Sequence, residues 1–402
     1  MQSSAIGDPI YLDHAATTPV DPEVLAAMLP YFSERYGNPS SIYALGQESR
    51  AALDQARRRC AQVLGCDPGE VVFTSGATES DNLALRGVAW AAKLARGGGE
   101  PVPHIATTAI EHHAVLHTAQ SLERQGFAAT YVVPDARGII DPADVAAALR
   151  PETCLISMMY ANNESGAIQP VRQVAQIAQE RGVLLHTDAV QAAGMLPLRV
   201  DDLGVDLLSL SAHKFYGPKG VGLLYVRRGS AIDFQQQGGS QEQGRRGGTE
   251  NVPGIVGMGL ALERADQDRN GYAEHCRTLR DRLLRGILEA IPGATVNGPL
   301  EPELRLPNNL NVRIPGVDGE TVLFSLDLAG VAASAGSACT TGNTEPSHVL
   351  LAMGLPPNAC KASLRFTVGR SNTEDQIDRA IQALVASVER MRAVASTVSS
   401  VT

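Results

Sequence analysis

Positive charge is in short supply: 34 lysines and arginines stand against 43 acidic residues, a net charge of −9. Such a surface repels a phosphate backbone, which argues against nucleic acid as a partner. No uninterrupted apolar stretch approaches the roughly 20 residues that a membrane-spanning helix requires, so no membrane role is expected. The opening residues, Met1 to Asp8, are polar and lack the basic-then-apolar order of a secretory signal. A cytoplasmic location is the expectation. Aromatic residues make up 4% of the chain, while hydrophobic residues overall reach 44%, as in an ordinary globular protein with an aliphatic core.

Cysteine is also sparse. Cys60, Cys66, Cys154, Cys276, Cys339 and Cys360 form no C-x-x-C pair, and a chain of this size needs no disulfides. No metal site is expected from these spacings. Cys60 shares a helical face with Leu53, Ala56 and Val63 and reads as a small buried hydrophobe. Cys339 has no such face. It lies between Ala332–Ala338 and Thr340–Asn343, a run of small residues that reads as a mobile loop.

What is present is an alternation of helix and strand signals over residues 45–255. Helical patterns cover Gln47–Leu64, Glu79–Ala95 and Val171–Arg181, and the first two stop at glycine. Apolar runs suited to strands cover 71–73, 104–108, 130–133, 155–160, 183–187, 206–210 and 221–226. This is the signature of an α/β fold with a large, mostly parallel sheet. From about residue 256 the order changes. Helix 274–290 precedes strand 309–314, a helix begins near Gly319, and strand 363–368 follows. The closing helix carries Ile377, Ile381, Leu384, Val388 and Met391 on one stripe. The tail from Ser396 reads as frayed. With 402 residues, two domains are expected: 17–255 as the large unit, and 1–16 with 256–402 as a smaller α+β unit.

Polar clusters follow the apolar runs, where ligands bind in open parallel sheets. After strand 71–73 comes Thr74 to Asn82, a glycine turn into a helix start that suits a phosphate. Taken alone, it also reads as plain capping, with Thr78 as N-cap and Asp81 closing a T-x-x-D box. Asp188 ends strand 183–187 and can pair with a protonated ring nitrogen, although a strand-end aspartate is often only a loop residue. Lys214 follows Ser211 and His213 at the end of the next strand. A lysine there suits condensation with an aldehyde, provided its amine loses its proton. Phosphate loop, aspartate, strand and lysine stand in the order that pyridoxal 5′-phosphate (PLP) needs.

With these motifs the sequence resembles the group I cysteine desulfurases, of the nitrogen-fixation and iron–sulfur-assembly type, within the aminotransferase-like PLP fold. The resemblance spans nearly the whole chain. It rests on Tyr11–Pro19, Ser75–Asn82, Ser211–Lys214 and the Ser334–Thr340 run around Cys339. It implies that Lys214 holds the cofactor, that Cys339 takes the sulfur, and that His112 stacks on the ring and moves protons. It implies that Asp188 pairs with the ring nitrogen and that Gln191 and Asn163 stand near its oxygen. Ala77, Thr78, Ser211 and His213 hold the phosphate, with Thr249 reaching the phosphate of a partner subunit in a homodimer. Arg365 clamps the substrate carboxylate, with Asn38 and Asn163 as further candidates. A sulfur-acceptor protein, such as an iron–sulfur scaffold, is the implied partner. The chain departs from the family pattern at Ser240 and Gln243, where Gly and Arg are usual. It also stops at Thr402, without the longer tail that housekeeping members use to dock their scaffold. The rival readings are a selenocysteine lyase or related aminotransferase, which needs no Cys339, and a non-catalytic scaffold, which needs neither Lys214 nor Arg365.

Overall fold

The computed structural model describes residues 9–97, 101–335 and 345–399. Cys339 lies outside the described residues. Twelve strands are described: β1 (Ile10–Tyr11), β2 (Val71–Thr74), β3 (His104–Thr108), β4 (Ala128–Val132), β5 (Thr153–Ser157), β6 (Leu184–Asp188), β7 (Leu207–Ser211), β8 (Gly222–Val226), β9 (Thr295–Asn297), β10 (Asn309–Arg313), β11 (Val331–Ala332) and β12 (Ser363–Thr367).

Seven of them form one sheet in the order β2-β8-β7-β6-β5-β3-β4. Only β8 runs against its neighbours. Successive residues of each strand face opposite sides, both sides are covered, and the strands are mostly apolar, with hydrogen-bonded buried exceptions such as His104, Ser157, His186 and Ser209. On one side Val72, Ile105, Leu155, Leu207 and Leu224 pack against helices Ala77–Ala95 and His113–Glu123. On the other, Phe73, Ala106, Ile156, Leu185 and Leu208 share a core with helices Ala44–Leu64, Val171–Arg181 and Val252–Gln267. Cys60 is fully buried in that second layer, beside Leu53 and Ala56.

A separate core forms around the antiparallel sheet β12-β10-β9 and the short parallel pair β1-β11. Helices Arg269–Ala290, Gly319–Leu328 and Glu374–Ser399 cover it. The stripe Ile377, Leu384 and Val388 is buried there, flanked by Ile381 and Met391. The closing helix continues to Ser399, past the expected fraying point. The expected division at residues 255 and 256 falls inside helix Val252–Gln267, whose apolar face packs into the large core. Helices also begin earlier than their apolar periodicity shows, at Ala44, Ala77 and Arg269, because a first turn contributes little to the buried stripe. Among the described residues no helix is long and apolar enough to cross a membrane.

β2 is an edge strand, and its outward groups are met by side chains rather than by another strand. Phe73 N–H donates to Glu242 Oε2 at 2.9 Å, while Arg57 Nη1 and Arg245 Nη2 donate to the Val71 carbonyl. Arg57 forks onto both Glu242 oxygens at 2.8 and 2.6 Å. Holding Glu242 there puts it and Gln243 in left-handed backbone, φ 48° and 60°. The Glu242 side chain is 2% exposed, and removing its partner strands a buried charge. Arg57→Met is therefore expected to cost about 3–5 kcal/mol in urea-unfolding stability, and Arg57→Met with Glu242→Leu to recover most of it. A double variant no more stable than the single one would show that the pair is not what holds the segment.

Candidate active site

Five strand ends meet on the carboxyl rim of the large sheet. Chain leaving β2, β3, β5, β6 and β7 contributes Ala77, His112, Asn163, Asp188 and Lys214 to a cleft of about 550 Å3. Further wall comes from the N-terminal segment, from Lys219 and Gly220 before β8, from Arg365 on β12 and from His348.

At the β2 end, the helix starts at Ala77, with Gly76 as its N-cap. The expected cap at Thr78 is not formed: Thr78 sits inside the first turn. Asp81 closes no box; its side chain is turned under the helix against the sheet and is 1% exposed. The carboxylate that does reach back is Glu79, which accepts the Ser75 N–H at 2.7 Å. The backbone N–H groups of Ala77, Thr78 and Glu79 have no intrahelical acceptor and face the cleft end of a 19-residue helix, a position that favours an anion. A side chain at Gly222 on β8 would meet Gly76 carbon atoms at 2.6–2.7 Å, so the turn depends on that glycine for its close approach. Ser211 and His213 line the cleft beside it. The His213 ring bonds Thr17 Oγ1 at 3.1 Å, and burial, then the Lys214 charge, push its pKa down to about 4.

Lys214 ends a short 3₁₀ turn after β7. Its Nζ donates to the carbonyls of Ala15 and Ala16 at 2.6 and 2.7 Å. Gln191 Nε2 donates to the same Ala15 carbonyl at 3.1 Å. Asp188 is buried at the end of β6, with Oδ1 accepting the Val190 N–H at 2.9 Å. Burial pushes its carboxyl up to about 6, against the pull of that N–H and of Lys214. A carboxylate so placed favours a cation beside it. His112 is the N-cap of helix His113–Glu123, and its Nδ1 accepts the Ala114 N–H at 3.1 Å. That bond places the ring proton on Nε2. Burial, then Lys214, lower the His112 pKa to about 4, so the ring is neutral at neutral pH.

Arg365 enters from the small sheet and is 1% exposed. Its Nη2 pairs with Asp13 Oδ1 at 2.7 Å and its Nη1 donates to the Asn163 carbonyl at 3.1 Å. Ser334 and Arg365 exchange backbone hydrogen bonds at 3.1 and 2.6 Å. Beyond the undescribed residues, Ser347 Oγ donates to Glu164 at 2.5 Å, and the His348 ring bonds the Glu111 carbonyl at 2.9 Å. Arg365, Glu164 and His348 all line the cleft. The described stretches on both sides of Cys339 are thus tied to cleft residues.

Not every expected residue is there. Asn38 is exposed, its Oδ1 accepting the Ser40 N–H, and Thr249 is exposed too; neither lines this cleft. Conversely, Asp13, Ala15, Ala16, Thr17 and Asp81 belong to the site without having been singled out for it. The motif Tyr11–Pro19 was the available signal, but nothing in it says that two backbone carbonyls would receive a lysine 199 and 198 residues away. An anion-binding helix start, a buried carboxylate and an amine on one rim fit the phosphate, ring nitrogen and aldehyde of PLP.

The aminotransferase class-V family model matches residues 10–380. Cysteine desulfurase IscS of Clostridium botulinum strain Hall is 46% identical over 383 residues, 95% of each chain. The IscS protein of Methanosarcina thermophila is 48% identical over 95% of this chain and 93% of its own. A solved NifS-like protein superposes with a TM-score of 0.86 at 39% identity, covering 94% of this chain and 98% of its own. SspA in complex with cysteine gives 0.79 at 37% identity, over 90% and 100%. The chain belongs to the aminotransferase class-V family of pyridoxal-phosphate enzymes, within its cysteine desulfurases.

Proposed function

We propose that this cysteine desulfurase carries the sulfur taken from L-cysteine as a persulfide on Cys339, releasing L-alanine and passing the sulfur to an acceptor protein. The observation that carries this reading is the anchoring of Ser334 on Arg365 and of Ser347 and His348 on Glu164 and Glu111. Cys339 is five residues from Ser334, and five residues span at most about 18 Å.

The first turn Ala77–Thr78, with Ser211 and His213, holds the phosphate. Asp188 holds the proton on the ring nitrogen, and Gln191 and Asn163 border the ring oxygen. PLP, when bound, supplies an aldehyde and an electron sink for the substrate's α-carbon. Lys214, clasped by the Ala15 and Ala16 carbonyls, would be the residue that holds that aldehyde, and its amine, when free, would carry protons. Neutral His112, its Nε2–H directed by the Nδ1 bond, would lie against the ring and pass protons. Arg365, already oriented by Asp13 and Asn163, receives the substrate carboxylate. The Cys339 thiolate attacks the substrate sulfur, the Cβ–S bond breaks, and the electron pair stays with the carbon skeleton, which is protonated to alanine.

The chain acts as a homodimer. Phe32, Tyr36, Ile42 and Tyr43 leave an exposed apolar stretch, with Ile42 93% accessible, which a second copy covers. Exposed Thr249, which does not line its own cleft, then serves the partner's phosphate. A large cofactor-holding domain and a smaller one bearing Arg365 and Cys339 divide the work, in the cytoplasm and away from nucleic acid and membrane.

Four outcomes test this reading. Cys339→Ala should retain PLP and its absorbance change on adding L-cysteine, yet accumulate no alanine in a single turnover. In the wild type, brief exposure to cysteine should add one reductant-labile sulfur to the Cys339 peptide. Sulfur found instead on Cys60, Cys66, Cys154, Cys276 or Cys360, or alanine made at the normal rate by Cys339→Ala, overturns the nucleophile. Borohydride should fix the cofactor to Lys214, as read by peptide mapping, and to no other lysine. Arg365→Ala should weaken cysteine binding more than PLP binding, raising KM roughly ten- to over a hundredfold for a charged contact worth about 1.5–3 kcal/mol. An unchanged KM and kcat would place the carboxylate elsewhere.

A further inference from the structure

One buried acid in the cleft is unused by the chemistry above. Asp81 projects from helix Ala77–Ala95 onto the sheet, lines the cleft and is 1% exposed. Among the described residues, neither carboxyl oxygen has a hydrogen-bond partner. Its nearest basic group is His186 Nε2 on β6, at 3.6 Å. That ring is not a counter-ion. His186 Nδ1 bonds Ser157 Oγ and Nε2 bonds Ser209 Oγ, each at 2.9 Å, so one donor and one acceptor are both served in the neutral form. Burial drives the His186 pKa down to about 3.

A fully buried carboxylate with no cation, and with only the Ser209 hydroxyl that His186 also engages beside it, has little to replace its hydration, and it neutralises instead. The groups facing Asp81 reinforce this. Asp188 stands two residues beyond His186 on β6, and its negative charge opposes a second one. Glu111, after β3, is also fully buried. It accepts from Thr108 Oγ1 and Met159 N–H, and burial pushes its pKa up to about 8. Burial first and Asp188 second raise the Asp81 carboxyl well above the ordinary range, and the neighbouring Ser209 hydroxyl opposes the shift without reversing it. Lys214, the cleft's amine, favours ionisation of Asp188.

We infer that Asp81 is a positioning residue for Asp188: it keeps its proton, so that the acid pair at the floor of the cleft carries one negative charge, on Asp188. The arrangement rests on the proposed role of Asp188 toward the ring nitrogen, and it explains how that role is secured. Two ionised carboxylates would repel each other and share the ring's proton between them. A neutral Asp81 lines the same cleft as Asp188 without competing for that proton.

The test is infrared difference spectroscopy on the cofactor-free protein, wild type against Asp81→Asn, with Glu111→Gln as the reference for the other buried acid. The expected result is loss, at pH 7, of a protonated-carboxyl C=O band that moves in D2O and is distinct from the Glu111 band. An ordinary aspartate has lost that proton about three pH units lower. In Asp188→Asn the same band should persist at pH 7 but titrate away at a lower pH than in the wild type, because the neighbouring charge is the second of the causes, after burial, that keep the proton on Asp81. Loss of a carboxylate band in Asp81→Asn, or an Asp81 band whose titration is unaffected by Asp188→Asn, overturns the inference. If Asp81→Asn does not fold, carboxyl-13C aspartate NMR of the wild type replaces it. One aspartate resonance should then stay at its protonated position through pH 7, and the absence of any such resonance overturns the inference equally. Because no cofactor is present, these results stand apart from whether Asp188→Asn abolishes turnover.

Discussion

The Lys214 ammonium, clasped by the Ala15 and Ala16 carbonyls at 2.6 and 2.7 Å, is the contact on which the site's geometry hangs. The segment it grips belongs to two structures at once. On one side Ile10 and Tyr11 pair with β11, Ala15 N–H donates to Thr367 Oγ1, and Asp13 holds Arg365. On the other, Thr18 donates to the His213 carbonyl through both its N–H and its hydroxyl. The strap from Tyr11 to Thr18 therefore sets the distance between the amine on the large sheet and the guanidinium on the small one.

The strap also makes the clasp exchangeable. Carbonyl oxygens attract an ammonium without the full charge of a carboxylate, so the amine is oriented but not locked into an ion pair. Gln191 shares the Ala15 carbonyl, which ties the end of β6 to the same point. Asp188 is thereby held near Lys214, and each charge offsets part of the other's burial. The neutral histidines around them, His112, His186 and His213, add polar surface without adding charge.

The edge of the sheet is governed by a similar economy of charge. Glu242 and Arg57 satisfy β2 and each other, and they hold the segment that leads to Thr249. The unusual Ser240 and Gln243 lie beside this anchor. Gln243 is exposed in left-handed backbone, so its identity touches the solvent side of the segment and not the ion pair.

Much of this was legible in the residues alone. Apolar runs between helical stripes specify a parallel sheet, because strands covered on both faces keep most of their side chains apolar, and His104–Thr108 and Val171–Arg181 fall where their patterns put them. Asp188 and Lys214 were legible because strand ends carry the chemistry in such sheets. Thr78 misled because a T-x-x-D spacing fits a cap two residues late as well as it fits a buried aspartate. What only the tertiary structure decided are the long-range partners: Asp13 with Arg365, Ala15 with Lys214 and Gln191, Asp81 with Asp188. Backbone carbonyls carry no mark in a sequence, and a carboxyl's charge depends on whether folding leaves it a donor. Those facts arise only when segments about 100 to 350 residues apart are brought onto one rim, which is the work of packing rather than of local pattern.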